Sequence, residues 1–169
     1  MDALAIERLT VRADRVVALV RAAPSARMST PALAARLRRE FPLVAHHACV
    51  NDAGDSFGDV MECTPLPHVL EHLVIDLQTR AHAQEREGER ACGAAPDAAP
   101  DAARPAPLAA PRRAPAAPPP PDDFAFVGTT EWLDEARGLA RVEVNFTDDL
   151  VALRAFRDAA RFLNAAVVS

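Results

Sequence analysis

The sequence predicts an α+β fold: a single domain with an antiparallel sheet packed against helices, interrupted by a disordered Pro/Ala-rich insertion. Three observations carry this. Short β-branched runs come in pairs at hairpin spacing rather than separated by regular crossovers. Stretches with apolar residues at helical spacing lie between and after those pairs. Between them, Gln84 to Asp122 is almost entirely Ala, Pro, Arg and acid, a composition that cannot bury apolar surface and lacks donors for regular backbone pairing.

Taken in order, Ile6 to Val11 and Arg15 to Arg21 read as strands, the second carrying Val16, Val17 and Val20. Ser29-Thr30-Pro31 supplies a hydroxyl cap and a first-turn Pro for a helix with Leu33 and Leu37 on one side, ending near Phe41-Pro42. Val44 to Val50 and Ser56 to Glu62 are expected to pair across the turn-rich Asn51 to Asp55. Pro65 to Gln78 is a helix, PLPHVLEHLVIDLQ, with Leu66, Leu70, Leu73, Val74 and Leu77 facing the core. Residues 1–83 thus form the first part of the domain, 84–122 the insertion and 123–169 the second part, which is too short for a core of its own. In that second part, Phe124 to Trp132 and Leu139 to Phe146 form a strand pair around Asp134 to Gly138. Ala140, Val142, Val144 and Phe146 face one way; Arg141, Glu143 and Asn145 face the other. Thr147 is expected to cap a closing helix whose buried stripe is Leu150, Leu153, Phe156, Ala160 and Leu163.

Composition narrows the chemistry. Of 169 residues, 50% are apolar and 25% charged, ordinary for a soluble globular protein. All 19 basic residues are Arg, which excludes a Walker-type phosphate loop, a Schiff-base enzyme and a Lys general base. The net charge of −5 argues against nucleic acid as partner, and Arg36, Arg38 and Arg39 read as a solvated helix face. The start MDALAIERLTVR lacks the pattern of a secretory signal, and no apolar run reaches the length of a membrane span. Three cysteines without framework spacing, Cys49, Cys63 and Cys92, fit a reducing cytoplasm. Cytoplasmic localisation without membrane association is the expectation.

The helix PLPHVLEHLVIDLQ places His68, Glu71, His72 and Ile75 on the face opposite its leucines. Two imidazoles at i and i+4 reach one tetrahedral Zn²⁺, and Glu71 between them is placed to act as general base, the H-x-x-E-H spacing of metallohydrolase helices. A polar helix face in water is the alternative. Ile75 within that stripe favours a covered face, where His and Glu need partners. A third ligand is then required. Glu143, on the polar side of a strand with apolar neighbours, is the first candidate; Cys49 is its rival, and with His47 two places earlier it also makes a separate site conceivable.

These pieces resemble the N-terminal domain of cyanophycin synthetase. That family carries H-x-x-E-H followed by apolar residues and L-Q, here His68, Glu71, His72, Leu77 and Gln78. An H-x-C element and a Gly-Phe strand precede it, here His47-Ala48-Cys49 and Gly54 to Phe57. A glycine and threonine segment and an acid between apolar residues follow, here 126–130 and Val142-Glu143-Val144. Asp76 stands where the family carries Glu and counts with His47 and Cys49 as an additional candidate ligand. The synthetase's ATP-grasp and Mur-ligase-like domains are absent from these residues. The resemblance therefore implies a stand-alone, metallopeptidase-like hydrolase of an amide or peptide bond, in the Asp–Arg polymer cyanophycin or a related peptide. His68, His72 and Glu143 would be the metal ligands and Glu71 the base. The expected partners are a peptide or polypeptide substrate and either a second copy of the chain or a synthetase. The alternative is a non-catalytic peptide- or synthetase-binding module that retains the fold, in which the Pro-rich insertion serves as a docking segment.

Overall fold

The computed structural model describes residues 2–93 and 124–167. Two antiparallel hairpins make one four-stranded sheet. The first joins β1 (Leu4–Val11) to β2 (Arg15–Ala22); the second joins β3 (Gly128–Asp134) to β4 (Leu139–Asn145). The sheet order is β1-β2-β4-β3, so β4, from the far end of the sequence, pairs with β2 at the centre. Strict alternation sorts the faces: Val16, Ala18 and Val20 on β2 and Ala140, Val142 and Val144 on β4 are at most 1% exposed, while the residues between them turn to the opposite face. Gly138, at φ 68°, closes the second hairpin in a conformation that disfavours side chains.

Among the described residues there are three α-helices. α1 (Pro31–Glu40) starts as the sequence implies, with the Thr30 side chain accepting from the Leu33 amide and Pro31 in the first turn. α2 (Leu66–Gly93) and α3 (Asp149–Val167) pack on each other and on the apolar face of the sheet. Leu66, Val69, Leu70, Leu73 and Val74 are wholly buried, and Leu77 is only partly so.

Several expectations need correction. The segments 44–50 and 56–62 do not pair as strands. They form short 3-10 turns at Val44–His46 and Phe57–Asp59, joined by a single bridge between Ala48 and Ser56. A reciprocal Ser56–Asp59 cap nucleates the second turn, and local side-chain bonding of this kind competes with a ladder. α2 runs to Gly93, so residues 84–93 are helix rather than insertion. Once a helix is nucleated by packing, Gln, Glu and Arg extend it without needing a core to bury into. Residues 94–122 of the expected insertion lie outside the described residues. Asp148, not Thr147, caps α3, accepting from the Val151 amide at 2.9 Å. The buried stripe of α3 is Ala152, Ala155, Phe156, Ala159, Ala160 and Leu163, whereas Leu150 is 59% exposed and Leu153 partly buried. Small alanines let α3 lie close to its neighbours, which a reading weighted towards large side chains misses.

Among the described residues, no helix is long and apolar enough to cross a membrane.

Candidate metal centre

α2 crosses under the sheet with its polar stripe covered. Glu71, His72, Asp76 and Gln78 are all at least 94% buried, as Ile75 in that stripe suggests. His68 and His72, one turn apart, bring their Nε2 atoms to 3.1 Å. The loop after α1 approaches from one side and sets Cys49 Sγ 3.4 Å from His68 Nε2. Asn51 knots that loop: its side-chain oxygen accepts from the amides of Ala53 and Gly54, and its amide donates to the carbonyls of Cys49 and Ser56. The three donor atoms of Cys49, His68 and His72 all lie within 4.8 Å of one another.

The spacing can be tested against a tetrahedral ion. With Zn–N near 2.05 Å and Zn–S near 2.3 Å, the edges of the tetrahedron are about 3.3 Å for N···N and about 3.6 Å for N···S. The two edges that meet at His68, 3.1 and 3.4 Å, are close to these values, and the third, between Cys49 and His72, is at most 4.8 Å, so closing on an ion needs an inward shift of about 1 Å or less there. Two imidazole nitrogens and a thiol sulfur are also a donor set that borderline-soft divalent metals favour. The residues fit a metal ion.

Each imidazole is oriented from behind. Thr64 Oγ1 is 2.8 Å from His68 Nδ1, and Thr64 is itself fixed by Ser29, whose hydroxyl accepts from the Thr64 amide. With Nδ1 protonated and donating to that hydroxyl, the Nε2 lone pair of His68 points to the shared centre. His72 Nδ1 lies 3.4 Å from His47 Nδ1, and His47 Nε2 lies 3.8 Å from Asp76 Oδ1. One proton arrangement satisfies the whole row: His47 protonated on Nε2 towards Asp76, His72 protonated on Nδ1 towards His47, and His72 Nε2 free. Arg80 Nε, 2.6 Å from Asp76 Oδ2, anchors the end. Phe57 stacks on His72 with centroids 4.0 Å apart and meets His68 edge-on, which fixes both rings.

Electrostatics follow burial. Desolvation, with His68 and His47 nearby, holds His72 down to about 3, and burial lowers His68. Burial also lowers His47, against the pull of Asp76. Neutral imidazoles are the form that ligates metal. Glu71 is pushed up by burial, partly offset by the Thr130 hydroxyl, which donates to Glu71 Oε2 at 2.6 Å. Asp76 is raised by burial, against Arg80 and His47.

Glu71, His72 and Cys49 open onto a cleft of about 1180 Å³. The start of β3, Gly128 to Thr130, forms part of its wall. Glu71 passes so close to Gly128 that a Cβ there would stand 2.6 Å from Glu71 Cγ.

Residues 16–93 match the family model of the cyanophycin synthase-like N-terminal domain. The match spans β2 to α2, less than half of the 169 residues, and holds Cys49, His68, Glu71 and His72. The chain thus resembles that domain over the part that carries the candidate centre; β3, β4 and α3 lie beyond the match. No curated protein matches the chain, and no solved structure does.

Of the residues named from sequence, the structure brings His68, His72 and Cys49 together, sets Glu71 in the wall of the same cleft as Cys49 and His72, and places His47 and Asp76 behind His72. It does not bring in Glu143. That carboxylate projects from the opposite face of the sheet, where Arg15 and Arg141 pair with it at 3.4 and 3.2 Å. The reason is the strand's period of two: Val142 and Val144 point to α2, so the residue between them cannot. Cys49, the rival candidate, is the third donor within 4.8 Å of the two imidazoles. Thr64, Phe57, Asn51, Gly128 and Thr130 are missed by the sequence reading as site residues. The segments named from the resemblance carry a signal for three of them: 126–130 for Gly128 and Thr130, and Gly54 to Phe57 for Phe57.

Proposed function

We propose that the protein is a zinc-dependent hydrolase of amide or peptide bonds, with Cys49, His68 and His72 holding the ion and Glu71 moving the proton. The observation that carries this is the Cys49–His68–His72 cluster together with a buried carboxylate, Glu71, that lines the same large cleft as Cys49 and His72. Zinc bound there supplies Lewis acidity and a water acidified towards neutrality.

The chain's own residues do the rest. Thr130 occupies Glu71 Oε2, so Oε1 is the atom that takes the proton from the attacking water and passes it to the leaving amine. Burial raises the Glu71 carboxyl towards the operating range of an acid–base catalyst. The thiol, two neutral imidazoles and their hydroxyl and histidine supports hold the donor atoms in place before substrate arrives. The similarity to the cyanophycin synthase-like domain makes the Asp–Arg polymer the first substrate to assay.

Metal analysis of purified protein tests the first half: close to one zinc per chain is expected, and less than about 0.1 refutes it. Glu71→Gln tests the second. It should keep the metal and lose cleavage of the Asp–Arg polymer by about 10²- to 10⁴-fold. A metal-loaded wild type that cleaves no better than this variant would make the domain a peptide-binding module instead.

A further inference from the structure

We propose that the free edge of β3 is a rail for an extended peptide, which adds to the sheet as a fifth strand and is read through its main chain. This rests on the reading of the cleft as the place where an amide bond meets Glu71.

β3 ends the sheet, with β4 on one side and no strand on the other among the described residues. The register decides which of its main-chain groups are free. The Asn145 amide donates to the Val127 carbonyl, and the Phe146 amide donates to the Asp14 carbonyl. Odd-numbered residues of β4 therefore turn their backbone groups to β3, and even-numbered ones to β2. Glu143 faces Thr129 and Arg141 faces Glu131. The backbone N–H and C=O of Gly128 and Thr130 consequently point away from β4, along the outer edge. Both residues line the cleft, and both touch Glu71: Thr130 through its hydroxyl, Gly128 through its bare Cα.

An edge with unpaired donors and acceptors is a template for another strand. Here it borders a cleft larger than the roughly 300–1,000 Å³ of ordinary small-ligand pockets. A chain paired to Gly128 and Thr130 runs past the catalytic carboxylate, with the Cys49 loop on its other side. Alternate side chains of such a guest point away from α2, so recognition is tolerant of sequence and demanding of backbone. A peptide is favoured over the β3 edge of a second copy because a folded partner laid along this edge would stand over the mouth of the cleft.

The test uses the full-length ¹⁵N-labelled chain in chelator, where no turnover can consume the probe, and an equimolar mixture of capped random hexapeptides. Slowed exchange and shifted resonances are expected at the amides of Gly128 and Thr130, with Thr129 and Glu131, already facing β4, unchanged. The same mixture N-methylated at every amide should bind about fivefold more weakly for each main-chain bond lost. Unaltered amides at 128 and 130, a uniform response over 128–131, or equal binding of the methylated mixture would each overturn the rail. Protection that grows with protein concentration without peptide would assign the edge to a second copy, also against the proposal. Because the readout needs neither metal nor cleavage, a failed hydrolase assay does not decide it.

Discussion

At the scale of single residues, the centre depends on donor atoms that converge and on groups that keep them pointed. Cys49→Ala and His72→Ala should each lower zinc content sharply, while Glu143→Gln, on the far side of the sheet with Arg15 and Arg141, should leave it unchanged. Metal analysis of the three variants checks this. His47→Ala removes the acceptor behind His72 Nδ1 and should weaken zinc binding about 10- to 100-fold without removing a donor atom, read by competition with a chromophoric chelator. Burial also fixes a pH response. An unfolded imidazole takes up its proton near 6.5, whereas folded His72 does so only near 3, so between these values the unfolded chain binds more protons and stability falls as pH falls. Each pH unit below 6.5 costs about 1.4 kcal/mol per histidine held neutral, or about 3 °C of Tm in chelator-treated protein. Glu71 and Asp76, raised by burial, work in the opposite direction, gaining stability as they protonate. His72→Asn isolates the histidine contribution: its Tm should fall less than that of the wild type between pH 7 and 5. What was legible at this scale was the pair His68 and His72 with Glu71, because i, i+3 and i+4 on a helix fix proximity before any fold is known. Glu143 was preferred over Cys49 as the third candidate because a loop has no period. Nothing in H-A-C says that Asn51 folds it back over α2, whereas Glu143 sat in a pattern that could be read, and the pattern in fact turned it away.

At the scale of elements, the apolar periods of β2, β4 and α1 translated directly into buried faces, because one face of each element packs on a single partner. α3 departed from this, since its contact stripe is built from alanines that a hydrophobicity count ranks low. The end of α2 departed for the opposite reason: Glu and Arg are strong helix formers that a search for buried surface discards. The covered polar face of α2 lies against β3 at Gly128, and it yields a further expectation. Gly128→Ala places a methyl against Glu71 Cγ and the Glu143 carbonyl, at 2.6 and 2.9 Å, so the carboxylate or the strand must shift. A loss of about 1–3 kcal/mol in stability is expected from this overpacking. Cleavage should fall with zinc content unchanged, since none of the three donor residues touches this position. Thermal denaturation together with metal analysis separates the two effects. A variant as stable and as active as the wild type would mean that Glu71 does not need its place beneath β3.

At the scale of the whole molecule, the first and last thirds of the chain share one sheet. β4 pairs with β2, and α3 packs on α2, so each part lacks a partner for its apolar surface when alone. The family match stops at Gly93, yet the carboxylate at the candidate centre is held by Thr130, contributed from beyond it. The candidate ligands and the proposed base therefore come from the first part, and the support for that carboxylate from the second. Two altered proteins test this dependence. Replacing residues 94–123 by a 15-residue Gly/Ser linker halves the connection, which by loop-closure entropy changes stability by only about 0.6 kcal/mol. That protein should melt within a few degrees of the wild type and keep its zinc. Separating residues 1–93 from 124–169 as two chains should leave each unfolded by circular dichroism. Mixed, they should regain helix and strand signal with a midpoint that rises with concentration, as the joint now forms between molecules rather than within one. Independent folding of 1–93 with a full complement of zinc would show instead that the centre is complete within the first part, and that Thr130 and β3 are additions to a site that stands without them.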